Sequence, residues 1–345
     1  IEVKKLNLDS YKGFNEAKKK FIELKNKSVR KFANFYNTQN STGDNLANAS
    51  NCKFCFDLKD AIKDIKFAIN GGAKLEDSYD GYGIGGNASL IYESVDTGAD
   101  GVGLFFNIFV WGGHDVYYSY ASHGCGNVFG CIGLRNKQYC ILNKQYTKEE
   151  YNRLLPKLIK HMNDMPYIDK GGKIYKYGEF FPAELSPFCY NETIAQEYFP
   201  LTEYEALNQN YRWKDEEKRN YKIDINSDDI PDNIHESEKD IIGKVIECAH
   251  KGKCNEQCTE AFKIIEDEFS FYKKMNLPLP HLCSNCRHFE RLKQRNPVKL
   301  WKHSCMCSQE NHEHRGKCQI EFETSYAPDR PETVYCEKCY QAEVY

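Results

Sequence analysis

The chain has 345 residues, enough for two or three domains around at least one sizeable core. A net charge of −3 confines any affinity for nucleic acid to a local patch rather than the protein as a whole. No run of about 18 apolar residues occurs, which excludes a membrane-spanning helix, and the first residues carry no signal-peptide pattern. A chain opening on Ile1 is expected to be a processed product or part of a longer one. Sixteen cysteines fit either an oxidised secreted protein or a reduced metal-binding one. Ten of the sixteen lie from Cys248 onward in short pairs, which favours metal thiolates in a reducing compartment such as the cytoplasm.

Residues 10–36 space Phe14, Phe21, Ile22, Leu24 and Val29 at roughly helical intervals among many lysines. That pattern predicts an amphipathic helix, and residues 1–48 are read as an amino-terminal helical cap on the segment that follows. From Asn51 to Tyr146 aromatic residues recur at Phe54, Phe67, Tyr79, Tyr92, Phe106, Tyr118, Phe129 and Tyr139. Turn formers such as "NGGA", "GYGIGGN" and "DTGADG" punctuate them. Repeats of about a dozen residues are too short for a helix pair but suit one coil of a β-solenoid with two short strands per turn. The fold class is therefore mainly β with flanking helices: a short-repeat solenoid of about 12–13 residues per repeat over 49–146, followed by tandem zinc ribbons. Stacked coils would line the aromatic residues up along the core. An antiparallel meander is the competing reading. Cys52, Cys55, Cys125, Cys131 and Cys140 fall in this region and are read as small core fillers rather than half of a zinc site.

A capping box of Thr147 and Glu150 opens a helix through "KEEYNRLLPKLIKHM", with Pro156 expected to kink it. A second box, Thr202 with Glu205, opens another within an otherwise irregular, aromatic extension over 147–213. Residues 214–240 are charged and poor in apolar residues, the composition of a linker.

Residues 241–345 carry the chemistry. Zinc takes four soft or borderline ligands in a tetrahedron, and a Cys-x2-Cys turn offers two from one tight loop. The knuckles in order are Cys254/Cys258, Cys283/Cys286, the group Cys305, Cys307 and Cys318, and Cys336/Cys339. Sequential pairing gives two zinc ions, one on Cys254, Cys258, Cys283 and Cys286, the other on Cys305, Cys318, Cys336 and Cys339. Cys248 and His250 are possible substitutes in the first set. Cys307, His312 and His314 either replace Cys305 or hold another ion. A rival pairing joins Cys283 and Cys286 to Cys336 and Cys339 in one ribbon.

"EAFKIIEDEFSFYKKMNLPLP", "CSNCRHFERLKQRNPVKLW" and "FETSYAPDRPETVYCEKCYQAEVY" resemble the tandem zinc-ribbon segment of large short-repeat proteins of candidate-phyla bacteria and giant viruses. "GCIGLRNKQYCILNKQYTKEEY" and "GEFFPAELSPFCYNETIAQEYFPLT" resemble stretches of the same group, so the likeness covers most of residues 33–345. It implies zinc in the knuckles and paired ribbons, no particular activity, and, for a viral source, a virion or virus-factory location. The Cys254 knuckle and the His-rich insertion depart from the group's simplest pattern.

Between the second and third knuckles, Arg287, Arg291, Lys293, Arg295, Lys299 and Lys302 face a single acid, Glu290, with His288, Phe289 and Trp301 interleaved. Rigid cations beside aromatic faces suit phosphate contact and base stacking. The expected function is a non-enzymatic zinc module contacting RNA, DNA or a ribonucleoprotein through this surface, with the solenoid docking a protein partner. The alternatives are a structural or assembly protein that self-associates through the solenoid, and a metal-dependent nuclease using His288, His303 or Asn296.

Overall fold

In a computed structural model, residues 6–215 and 219–345 are described. They are mainly β, with a solenoid of about 8 turns over residues 35–141. Among the described residues seven α-helices occur: α1 (Tyr11–Lys27), α2 (Lys148–Asp164), α3 (Ala195–Tyr198), α4 (Glu203–Asn208), α5 (Glu266–Met275), α6 (Ser284–Leu292) and α7 (Glu337–Val344). The chain divides into two compact units. One holds the segment up to Arg30, the stretch Asp215–Asn296 and Pro331–Thr333; the other holds Lys31–Lys214, Pro297–Arg330 and Val334–Tyr345.

In the solenoid, consecutive coils pair as parallel strands, with register partners such as Ile62 and Leu75, and Val128 and Cys140. The coil is built from a three-residue step. Asn45, Asn48, Asn51, Phe54 and Asp57 all have positive φ, and the residue after each of them points inward. Those followers, Leu46, Ala49, Cys52, Cys55 and Leu58, are all buried. Each left-handed residue is a corner, and Asn45, Asn48, Asn51 and Phe54 are the four corners of one coil. The expected two strands per turn are thus four short sides. Where two left-handed residues fall together, as at Asp60–Ala61, Ala73–Lys74 and Ala99–Asp100, the coil gains a residue. This accounts for neighbouring coils being offset by 13 residues in one stretch and 12 in another.

Left-handed backbone costs an ordinary L-residue roughly 1–2 kcal/mol, least for Asn and Asp. The corners therefore favour those two residues, whose side chains then bond from coil to coil. Asn37 Nδ2 donates to Asn48 Oδ1 at 2.9 Å, Asn51 to Asp64 at 2.9 Å and Asn87 to Asp100 at 2.7 Å. The glycine column Gly72, Gly85, Gly98 marks the closest approach: a Cβ on Gly85 would stand 1.9 Å from the Gly72 carbonyl oxygen.

The aromatic residues do not line the core as the sequence suggested. A side of three residues leaves no interior width for rings, so Leu58, Ile62, Ile65, Leu75, Ile91, Leu104, Val116 and Val128 fill it, with the five solenoid cysteines among them. Phe54 and Phe67 instead stack on one another at a corner, 5.6 Å between centroids and half exposed. Phe106 and Tyr118 stack at 4.5 Å.

The solenoid starts at Phe35 rather than 49, because the asparagines of 37–48 already form corners. Its final coil is covered by α2, whose Tyr151 packs on Phe129 and Ile141 beside Leu154, Leu155 and Leu158. The Thr147–Glu150 capping box is present, and α2 runs through Pro156 without a break. The first coil meets the segment carrying Cys305 to Cys339. Thr324 Oγ1 donates to the Phe32 carbonyl, Ser325 Oγ to Asp44, and Phe32 N to Tyr335 O at 3.0 Å. The Phe32 and Phe322 rings lie 5.2 Å apart.

Helix α1, read from sequence as the solenoid's cap, belongs to the other unit. There Ser10 caps it and also donates to Asp232 at 2.7 Å, and the Tyr11 ring stacks on His281 at 3.6 Å. The core of this unit is Ile230, Ile234, Ile241, Ile246, Ile264, Phe269 and Leu279. Of the expected linker, residues 216–218 lie outside the described residues. Its later part is structure rather than linker: Asp224 N donates to Val245 O at 2.9 Å, and two of the core isoleucines, Ile230 and Ile234, come from it.

Candidate metal centres

The same local construction occurs twice. In the first unit, strand Ile246–Glu247 pairs antiparallel with Ala261–Phe262, and the hairpin brings Cys248, just after one strand, beside Cys258, just before the other. Cys248 N donates to Glu260 O at 2.7 Å, which fixes the end of the hairpin. Cys283 is the N-cap of α6, and the x2 spacing puts Cys286 in the helix's first turn. Cys283 N in turn donates to Cys248 Sγ at 3.3 Å.

In the solenoid unit, Trp301–Ser304 pairs antiparallel with Glu321–Thr324, and Cys305, just after the first strand, and Cys318, just before the second, sit at the loop end of that hairpin. Cys336 is the N-cap of α7, with Cys339 in its first turn. Cys336 N donates to Cys305 Sγ at 3.2 Å. In both places a helix N-terminus, which favours negative charge, receives two thiols.

The ligand atoms of Cys248, Cys258, Cys283 and Cys286 all lie within 4.8 Å of one another, as do those of Cys305, Cys318, Cys336 and Cys339. Zinc–sulfur bonds of 2.3 Å in a tetrahedron separate sulfurs by about 3.8 Å. Cys248 Sγ stands 3.9 Å from Cys286 Sγ, a separation nearly double that of a disulfide. All sixteen cysteines are free thiols. These clusters fit tandem zinc ribbons.

The charge states of the thiols are divided. A hydrogen bond from Cys248 draws Cys283 down to about 3, and the same pairing pushes Cys248 well above the ordinary thiol range. Burial, then the neighbouring Cys283, raises Cys286. In the second cluster burial raises Cys305 and Cys339, whereas Cys318 ends below its usual value: burial opposes this, but the Ile320 N–H and the surrounding thiols outweigh it. Four sulfurs at this spacing, at least three of them buried, cannot all ionise unless a cation lies among them.

Cys258, Cys283 and Cys286 are brought together as expected from sequence, but Cys248 completes that set of four and Cys254 does not. Cys254 stands 3.7 Å from Cys286 in a neighbouring group with His250 and Glu256. Its knuckle spacing pointed to it, whereas Cys248 has no partner close in sequence and joins only through the hairpin. Among the described residues no group joins Cys283 and Cys286 with Cys336 and Cys339. Cys307, His312 and His314 gather with Cys339 rather than replacing Cys305.

The basic stretch divides between the units after Asn296. On α6, Arg287 pairs with Glu268 at 2.9 Å and bonds Tyr272 Oη at 3.0 Å. Lys293 is held by Glu256 and by Glu290, the latter at 2.8 Å, and both partners raise its pKa. Arg291 and Arg295 are exposed on or just after α6, and His288 is half-buried. In the other unit Lys299 Nζ lies 5.2 Å over the Trp301 ring, and Lys302 projects outward from its strand. His303 stacks on Phe322 at 6.0 Å and lies nearest to Ser304 O through Nδ1, at 2.8 Å. His288 and His303 fall in different units.

Among the described residues no helix is long and apolar enough to cross a membrane. No family model, no curated protein and no solved structure matches the chain.

Proposed function

We propose that the protein is a non-enzymatic scaffold: a solenoid that docks a protein partner along its sides, held in shape by zinc in the four-cysteine set of its own unit, with a second zinc in the four-cysteine set of the other unit. One observation carries this reading: the ribbon with Cys305, Cys318, Cys336 and Cys339 bonds directly to the solenoid's first coil through Thr324, Ser325 and Tyr335. Four thiolates fill a tetrahedral ion completely, leaving no position for water or substrate, the mark of a structural rather than a catalytic site. That argues against the nuclease alternative. Thiolates kept in this state belong to a reducing compartment such as the cytoplasm, and the knuckles fit the likeness to zinc-ribbon proteins noted above.

The test is elemental analysis of purified protein with intact-mass measurement under alkylating conditions. The expected result is at least two equivalents of zinc, with thiols that alkylate only after chelation. Absence of transition metal, or cysteines joined as disulfides, overturns the proposal.

A second reading, contact with RNA or DNA, is favoured by Lys299 over the Trp301 ring and by exposed Lys302 on the same strand. It predicts binding that weakens with salt and is lost in Lys299→Glu with Lys302→Glu. Binding unchanged in that variant removes this surface from consideration.

A further inference from the structure

We propose that Cys307, His312, His314 and Cys339 hold a second zinc ion in the solenoid unit's ribbon, with the Cys339 thiolate bridging it to the ion on Cys305, Cys318 and Cys336. The inference rests on the zinc reading of that ribbon and extends it to a dinuclear centre. The four ligand atoms lie within 4.8 Å of one another, and Cys339 belongs to both sets.

The two imidazoles are prepared as ligands. His314 Nδ1 lies 2.8 Å from the Gly316 carbonyl, an acceptor, so that nitrogen carries the proton and Nε2 the lone pair. His314 Nε2 is buried and has no hydrogen-bond partner, although a lone pair so placed carries a cost unless something accepts it. His312 presents the opposite edge. Its Nδ1 stands 3.0 Å from Cys307 Sγ, while Nε2 faces the Glu343 carboxylate at 3.6 Å. A carboxylate behind a ligating imidazole fixes the ring and makes it a better donor. The His312 side chain is only 3% exposed, on a loop otherwise rich in polar residues.

Charge favours the second ion. One Zn2+ among four thiolates leaves an excess of two negative charges. Adding Zn2+ and the Cys307 thiolate, whose proton passes to solvent, leaves one. A tetrahedral ion would hold sulfur and nitrogen about 3.6 Å apart, so Cys307 and His312 separate by roughly half an ångström on binding. The comparable group in the first unit, His250, Cys254, Glu256 and Cys286, differs in that Lys293 already neutralises its carboxylate.

The test compares zinc content and cadmium spectra of the whole chain with those of His312→Ala/His314→Ala. The expected loss is one metal equivalent in the variant, with the four-cysteine ion retained. In 113Cd-loaded wild-type protein, a resonance from an all-sulfur site should show scalar coupling to a second from a mixed sulfur–nitrogen site, through the shared thiolate. Equal metal content in the two proteins, or no mixed-ligand resonance in the wild type, overturns the second ion; two uncoupled resonances overturn the bridge. The wild-type spectrum decides even where the variant folds poorly. Loss of all metal from the wild type would instead defeat the scaffold reading itself.

Discussion

Removing metal from the solenoid unit should loosen one end of the solenoid and leave the other in place. Coils of a solenoid contact only their neighbours, so damage at one end travels inward by nearest-neighbour terms alone. The ribbon's attachment consists of the hydrogen bonds Thr324 to Phe32, Ser325 to Asp44 and Phe32 to Tyr335, with the Phe32–Phe322 ring pair. At about 1 kcal/mol for each hydrogen bond and about 1 kcal/mol for the ring pair, the attachment contributes roughly 2–4 kcal/mol. Exchange protection should then fall between about thirtyfold and a thousandfold, at 1.4 kcal/mol per factor of ten. The assay is hydrogen exchange read by mass spectrometry, with and without a zinc chelator. Peptides over residues 31–50 should exchange faster, while those over 125–141, covered by α2, keep their protection. Uniform loss across the solenoid, or no change at its first coil, would refute the reasoning.

Three substitutions probe the rest of the unit. Burial, then the charge of Glu179, raises the Glu93 carboxyl above its ordinary value, and Glu93 Oε2 has no partner. A carboxyl raised on folding stabilises while protonated, and that stability is lost as pH rises through the folded pKa. Glu93→Gln should therefore raise the unfolding midpoint at pH 7 but not at pH 4, as measured by thermal scans at both. The Tyr151 hydroxyl is buried without a partner, and burial raises its pKa. Tyr151→Phe should leave stability unchanged or raise it by about 1 kcal/mol in urea titrations, whereas a loss would mean that the hydroxyl is bonded. Leu90 is 48% exposed and sits at a left-handed corner one coil after Asp77. Leu90→Asn should stabilise by about 1 kcal/mol in the same titrations, by relieving strain and extending the Asn–Asp bonding between coils.

The solenoid was legible in sequence because glycine-rich turns and aromatic residues recur near the coil length. Its three-residue step was not, because no residue type marks every corner: Asn45, Asn48 and Asn51 do, but Phe54, Leu90 and Phe106 share the same backbone conformation. Exposed, stacked rings and buried ones have the same spacing along the chain, so periodicity alone could not separate Phe54 from Phe129. For the metal clusters, close cysteine pairs pointed to Cys283 with Cys286 and Cys336 with Cys339, because a helix N-terminus makes that contact local. Cys248 depends on a hairpin whose strands are two residues long, too short to signal in sequence. Ile230 and Ile234 were hidden for a related reason: set singly among polar and charged residues, they are joined only by the tertiary core.

The ribbon's position explains what a metal ion would supply there. The first strand of a parallel stack leaves backbone groups open to pairing with another chain, and a solenoid needs a polar, rigid cover at that point. A segment as short as Trp301–Tyr345 buries little apolar surface; its buried hydrophobic residues are five cysteines with Val334 and Tyr335. An ion binding four thiolates supplies the rigidity that such a core lacks. With the ribbon on the first coil and α2 on the last, both ends of the solenoid are covered against end-to-end stacking. On the scaffold proposal a partner, or a second copy, is then left the sides, where the Phe54–Phe67 and Phe109–Trp111 rings are exposed.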